Sequence, residues 1–367
     1  MMARLEEICA INMGQSPDSS TYNEDGNGLP FFQGNADFGE IYPAVRMWCS
    51  EPTKIAREKD ILISVRAPIG ALNIANCECC IGRGLAALTV NEDICAQEYL
   101  WHALSGKVDE LNSKGTGSTF KAINKKTLSE TEIPLPPIDE QRKIAAILDK
   151  VSDLIAKRQQ QLDKLDEMVK ARFVEMFGDP QNNEKNWKMR TFKEICTVRQ
   201  GLQIPISKRL THFEENCYEY ITVAYLHGAK DKAYIKNPKS TVICTKDDVL
   251  MTRTGNSGMV ITNVAGVFHN NFFLIDFDRD KYIKEFLVEY LNLDLIQTEL
   301  KKRAGTSTIP DLNHSEFYKI AIYEPPMYLQ NQFAAFVNQT EKSKTTVSHS
   351  LEKLETLKKA LMQEYFR

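Results

Sequence analysis

The strongest pattern along the chain is a long alternation of three- and four-residue steps between apolar or long-stemmed side chains. It begins after Pro137 and takes in Ile144, Leu148, Val151, Ile155, Arg158, Leu162, Leu165, Val169, Arg172 and Met176. A sustained 3.5-residue repeat predicts a long helix with a coiled-coil seam. Pro137 suits the first turn of such a helix, and Gly178 with Pro180 suits its end. A second run has the same period: Phe333, Val337, Thr340, Lys344, Val347, Leu351, Leu354, Lys358, Leu361 and Tyr365. Polar residues interrupt the two seams at different places, and such interruptions can fix pairing and register.

Elsewhere the periods are short. "DILISV", "GLAALTV", "STVICTKDDVLMTRT" and "MVITNVAGVF" are β-rich runs bounded by Gly, Pro or Asn, and they predict short strands. "AQEYLWHALSG" and "KEFLVEYLNL" predict short helices. The class is α+β.

The two helical runs are copies. Pro136-Pro137, Gln141 and Ala145-Ala146 fall on Pro325-Pro326, Gln330 and Ala334-Ala335 at a spacing of 189, which continues from 162–177 onto 351–366. Backwards the match persists with small slips. "GTGSTFKAIN" resembles "AGTSTIPDLN", and "DILISVRAPIG" resembles "DVLMTRTGNSG" at 188. "LEEIC" at Leu5 resembles "FKEIC" at Phe192, and Gly14 falls on Gly201, both at 187. Internal repeats fix architecture. The expected organisation is a head (1–135), a long helix (136–178), a linker (179–188), a second head (189–326) and a second long helix (327–367). The helices are similar and the heads differ. A helix over 138–177 spans about 60 Å at ~1.5 Å per residue. If the copies are equivalent and their helices pair, the simplest closed arrangement is a pseudo-twofold with antiparallel helices. Two unlike heads are then held apart by a two-helix coiled-coil spacer.

Composition narrows the function. The 367 residues are 43% apolar and 26% charged, enough for two ordinary domains. No run approaches the ~18 apolar residues of a membrane span, and the start lacks the pattern of a signal peptide. Nine cysteines, irregularly spaced, suit a reducing cytoplasm better than a disulfide framework. The cluster Cys77, Cys79 and Cys80 lacks a second ligand pair at zinc spacing, and with "ALNIAN" and then "GLAALTV" beside it a buried strand pair is expected, and no metal. The net charge of −3 conceals a division. Residues 1–135 hold 12 basic and 18 acidic groups (net −6), 189–326 hold 18 and 17 (+1), and 327–367 hold 6 and 4 (+2). No phosphate-binding G-x-x-x-x-G-K-[ST] loop and no HExxH pair occurs, so no catalytic residues are expected. "LPPI" and "EPPM" lack the Asn/Asp and the aromatic ring that an adenine methyltransferase places around such prolines.

The pattern "LPLPPIDEQRKIAAILD", followed by a long helix ending "MFGDP", resembles the central region of specificity subunits of Type I restriction–modification enzymes. Gly14, Tyr22, "LPFFQG", "DILISV" and "GTGST" match the usual head pattern, and the resemblance covers the whole chain. The second copy departs from it, with "EPPMYLQNQ" where "PLPPIDEQ" is typical. The resemblance implies that each head reads one half of a bipartite, non-palindromic site in double-stranded DNA. It implies that the helices set the gap and dock two modification subunits, which bind S-adenosylmethionine and methylate adenine. A restriction motor–nuclease subunit can join, and the chain itself does no chemistry.

On that reading, direct readout calls for Arg or Lys on guanine, Asn or Gln on adenine, and basic or hydroxyl groups on phosphates. In the first head the candidates are Gln33, Asn35, Arg46, Arg66, Lys114, Ser118, Thr119 and Lys121. In the second they are Arg199, Gln200, Gln203, Lys208, Arg209, Arg253, Thr254, Asn256, Lys301, Lys302, Arg303, Thr306 and Ser307. Asn and Gln beside Gly are also turn residues, and Arg66 or Arg253 can instead pair with a carboxylate. Two other functions fit the same sequence. One is a coiled-coil scaffold with protein- or glycan-binding heads. The other is a specificity subunit serving a methyltransferase without a restriction partner.

Overall fold

The computed structural model describes residues 1–117, 121–226, 228, 231–305 and 310–366, and all structural statements concern those residues. The chain forms two compact units, Met1–Gln159 with His349–Arg367, and Gln160–Ser348. Each contains part of both long helices, Ile138–Phe177 and Met327–Phe366, 40 residues apiece.

In the first unit a four-stranded antiparallel sheet is ordered Cys9–Met13, Leu85–Val90, Ile61–Ser64, Leu72–Ile74. The second unit repeats it as Cys196–Gln200, Phe272–Phe277, Val249–Thr252, Val260–Ile261. A second sheet also recurs around one parallel pair. Leu29–Phe32 runs parallel to Cys79–Ile81, with Phe31 opposite Cys80, and Ile55–Ala56 lies antiparallel beyond. Cys217–Ile221 runs parallel to Gly266–Phe268, with Tyr220 opposite Val267, and Ile243–Cys244 lies beyond. The units part at the far edge of this sheet. Trp48–Cys49 and Tyr22–Asn23 extend it in the first, whereas Tyr234–Lys236 closes it in the second.

The cysteine-rich strand Cys79–Ile81 and the strand Leu85–Val90 are both buried, but they do not pair with each other. The turn Gly82-Arg83-Gly84 carries the chain from one sheet to the other, so each strand finds its own partners. Burial pushes the thiol of Cys79 up to about 12. Among the described residues no group of three or more His, Cys, Asp or Glu could hold a metal. Likewise, no helix is long and apolar enough to cross a membrane.

All twenty seam positions named above are buried or half-buried. In the first unit Ile144, Ala145 and Leu148 share a core with Leu361, Met362, Tyr365 and Phe366. Further along the first helix, Asp149, Ser152 and Ala156 border a groove with Met362 and Lys358. In the second unit Phe173 meets Phe333 at 5.3 Å, and Asp166 binds Lys344 at 2.7 Å. Within each unit, then, partners on one helix fall in number as those on the other rise, which is antiparallel pairing. The polar interruptions are held locally. Lys344 also binds Glu341 at 2.7 Å, Thr340 Oγ1 donates to the Phe336 carbonyl, and Arg172 lies 6.0 Å above the Phe336 ring.

The repeated Gln explains the repeated helix start. Fully buried, Gln141 accepts from Ala96 N–H (2.9 Å) and donates to the carbonyls of Ile94 (3.0 Å) and Pro136 (2.8 Å). Gln330 does the same with Ile283 N–H (2.9 Å), Lys281 O (2.8 Å) and Pro325 O (2.9 Å). One amide thereby satisfies three backbone groups and fastens the first turn of the long helix to the start of a head helix, Gln97–Ser105 or Lys284–Asn292. The atypical "EPPMYLQNQ" therefore builds the same joint as its counterpart.

Candidate nucleic-acid interface

In each unit the four-stranded sheet gathers several loops at one end. Strand Cys9–Met13 ends there, Ile61–Ser64 ends there, and Leu85–Val90 begins there. Gly14 and Gly201 turn the chain at this point. A Cβ on Gly14 would stand 2.2 Å from the Gly82 carbonyl oxygen, and one on Gly201 2.2 Å from that of His269. No side chain fits that approach, so the glycine is obligatory in both copies.

Backbone bonds tie the other loops to the same place. In the first unit Val65 N–H donates to Gly84 O, Gly84 N–H to Gln33 O, Ala67 N–H to Lys121 O, and Ile123 N–H to Val65 O. Gln33, Arg66 and Lys121 thus emerge from adjoining loops, all exposed, and Arg66 and Lys121 have no ion pair among the described residues. Asn35, half-buried, opens the short 3-10 turn Asn35–Asp37 beside Gln33, whose N–H bonds Asp37 at 2.7 Å. Arg83, which sequence reasoning did not single out, joins them. It is exposed on the turn between the two sheets, with its N–H on Ser16 Oγ at 3.3 Å. Its flanking glycines, packed on Gln33, were the available signal. Arg46 is exposed on a separate loop, and Lys114 is bound to Glu110 at 2.6 Å. Ser118 and Thr119 lie outside the described residues.

The second unit uses the same scaffold with different chemistry. Arg253 grips Asp311 with two hydrogen bonds, 2.6 and 2.8 Å, and its guanidinium holds that carboxyl below the usual range. The bridge Thr254–Asp311 occupies the place of Arg66–Ala122, so Val65 stands where Arg253 does and Ala122 where Asp311 does, and the first unit has no counterpart of this ion pair among the described residues. Gln200 is committed on both sides, to Asn270 O at 2.6 Å and to the His314 ring at 2.8 Å. Arg199 reaches Thr241 O and lies 3.9 Å from Asp276. Arg209 binds Ile204 O through Nε and Nη2, and Arg303 binds Glu299 and Glu316. Gln203, Lys208, Asn256, Lys301 and Lys302 are exposed, and the lysines have no ion pair among the described residues. Thr254 is half-buried, and Thr306 and Ser307 lie outside the described residues.

Each unit also carries a groove where its head helix meets the long helices. That of the first unit, about 490 Å3, includes Gln97, Glu98, Trp101, His102 and Ser105. That of the second, about 580 Å3, includes Lys284, Glu285, Val288, Glu289 and Asn292, the same positions at a spacing of 187. The lining is unlike. His102 binds Asp149 at 2.7 Å, yet burial outweighs that bond and lowers its pKa. Glu289 is raised by burial, and its Oε1 has no hydrogen-bond partner among the described residues.

A family model for the Type I restriction modification DNA specificity domain matches residues 1–167 and again 184–358. A protein of Methanocaldococcus jannaschii named as the MjaX specificity subunit of a type I restriction enzyme is 43% identical over 165 residues, 45% of this chain and 39% of that protein. The type I restriction enzyme MjaIX specificity subunit of the same organism is 30% identical over 183 residues, 45% of this chain and 42% of its own length. The matched segments therefore span about two fifths of those relatives. Among solved structures, the S subunit of a Type I restriction–modification system from M. genitalium covers 100% of this chain and 96% of its own, with a TM-score of 0.64 and 15% identity. A chain from a type I R-M system, from work on its complex assembly and conformational transition, covers 100% and 97%, with a TM-score of 0.59 and 18% identity. At those identities the likeness is one of fold.

Proposed function

The chain belongs to the Type I restriction–modification DNA specificity family, and from that premise we propose that it is the sequence-reading subunit of such a complex. Each head, 1–135 and 189–326, reads one half of an interrupted, non-palindromic site in double-stranded DNA. The helices over 136–178 and 327–367 set the gap. The observation that carries this reading is one scaffold built twice to the same strand register, with different exposed side chains at the same loop end. A common frame with unlike tips suits two unlike half-sites.

Arg66, Arg83 and Lys121, with Gln33, are the contacts of the first head. Gln203, Lys208, Asn256, Lys301 and Lys302 are those of the second. Among the described residues these cations have no ion pair with a carboxylate, so they can replace counterions on phosphates or bond base edges. The local cluster offsets the acidic total of the first head. Arg253, Gln200, Arg303 and Lys114 act instead as supports, their polar atoms being committed within the fold.

The recurring groove supports two copies of one partner, the adenine methyltransferase subunit, each seated on equivalent head and helix residues. S-adenosylmethionine and the methyl transfer then belong to that partner, and this chain works in the cytoplasm without catalysing a step. A restriction motor–nuclease subunit adds to the same assembly. The test is co-expression with the methyltransferase encoded beside it in a methylation-deficient host, followed by genome-wide mapping of modified adenines. One interrupted motif with two different halves is the expected result. Soluble, associated proteins that leave the genome unmodified would refute the proposal.

A further inference from the structure

Met1 apart, the most exposed large apolar side chain among the described residues is Ile206, at 81%. It stands on the loop that leaves the second unit's sheet at Gly201, at the loop end assigned above to DNA. Its surroundings are stiff. Two residues earlier Ile204 is buried, and its N–H donates to the Tyr220 hydroxyl at 3.1 Å. That hydroxyl in turn donates to Leu202 O at 2.7 Å. From the other side Arg209 holds Ile204 O at 2.9 and 2.7 Å, and its guanidinium lies 5.0 Å over the Tyr220 ring. Between these anchors the 3-10 turn Ile206–Lys208 projects an apolar tip with an exposed lysine beside it.

Such a tip gains nothing for folding, since removing apolar surface from water is what stabilises a fold. A floppy loop would collapse over it, whereas this one holds it outward. The equivalent turn of the first unit, Ser19–Thr21, is polar and is capped by Asp18, whose carboxylate accepts from Ser20 N–H at 2.9 Å. One scaffold position therefore carries a wedge-shaped group in one head and hydroxyls in the other.

We propose that Ile206 is a wedge that enters between two stacked base pairs of the half-site read by the second unit, with Lys208 on a flanking phosphate. The inference rests on the DNA-reading function proposed above. Apolar side chains of this kind unstack a step and kink the duplex. The step that yields most easily is pyrimidine–purine, TA or CA/TG. The second half-site therefore contains such a step, selected by deformability rather than by a hydrogen bond, and the first half-site is under no such demand.

The test uses the full chain co-purified with its methyltransferase, and a duplex bearing the mapped site. 2-Aminopurine replaces, one at a time, each adenine that is not methylated. Wild type raises the fluorescence severalfold at one step of one half-site. Ile206→Ala abolishes that rise and weakens binding roughly tenfold, with the salt dependence unchanged because no phosphate contact is lost. Lys208→Ala keeps the rise and lowers the salt slope by about one. Tight, salt-dependent binding without a rise that depends on Ile206 overturns the wedge and leaves the DNA-reading function standing. Absence of salt-dependent binding overturns both. Loss of the methyltransferase from the Ile206→Ala preparation, with DNA binding intact, makes the tip a protein contact and also overturns the wedge.

Discussion

Replacing Gln141 by Glu tests whether one buried amide fastens the first long helix to its head. The substitution keeps the shape and the acceptor facing Ala96 N–H, but it sets an oxygen where the side-chain NH2 now donates to two carbonyls, at 3.0 and 2.8 Å. Two buried hydrogen bonds are lost, each net roughly 1–1.5 kcal/mol, and two buried acceptors are left facing a third oxygen. The sum is about 3–5 kcal/mol, a large part of a domain's stability. The new carboxyl is destabilised when charged, so its folded pKa rises above the unfolded value of ~4.3. Its proton then supplies a donor at low pH, and the loss grows as pH rises through the folded pKa. Hydrogen exchange read by mass spectrometry separates the units. Protection of 97–105 falls in the variant at pH 8 and partly recovers at pH 5, while that of 284–292 is unchanged. Gln330→Glu reverses the pattern. Wild-type protection of 97–105 in Gln141→Glu at pH 8 would mean that packing alone holds the joint.

In the first head, Arg66→Ala and Lys121→Ala each weaken DNA binding and lower its salt slope by about one, whereas Lys114→Ala, whose ammonium is on Glu110, leaves the slope in place; filter binding at several salt concentrations checks this. Exchanging the loop-end segments of one head changes one half of the methylation motif, and a change in both halves would sink the modular reading. Inserting residues into a long helix alters the gap and leaves both half-site sequences unchanged in the same mapping assay. His102 is held neutral by burial, so the folded first unit takes up that proton less readily than the unfolded chain. Stability is then present above the unfolded pKa of ~6.5 and declines as pH falls below it, and thermal melts of His102→Gln should lose that part of the decline.

The helical seams were legible because their period is long and each error is averaged over many turns. The repeat was legible because the residues that build joints recur: Gln141 and Gln330, Gly14 and Gly201. The short cap residues Glu7 and Glu194 recur too, each bonding a backbone N–H three residues earlier. Sheet pairing was less legible. "NCECCIG" and "GLAALTV" read as neighbours, and only the turn at Gly82 and Gly84 separates them into different sheets. At the candidate interface, residue type could not distinguish a free arginine from a paired one. Arg253 and Arg66 look alike in sequence but stand one position apart in the shared register, Arg253 on Val65 and Thr254 on Arg66, and the Asp311 that pairs Arg253 lies more than fifty residues downstream. Arg83 escaped because an arginine between glycines resembles an ordinary turn.

The division of the chain also has a consequence in time. The second unit is a single continuous stretch, Gln160–Ser348, but the first borrows residues from 349 onward. Phe366 lies against Tyr99 at 5.2 Å and packs into the core around Ile144 and Leu148. During synthesis the first head therefore waits, its core open along one side, while more than two hundred further residues are made. The second head can close first, although it is translated later. Contacts so distant in sequence form slowly, and an exposed core in the interval is prone to wrong associations. The order of completion is thus the reverse of the order of translation, and the nascent first head is the part most dependent on protection until residue 366 reaches it.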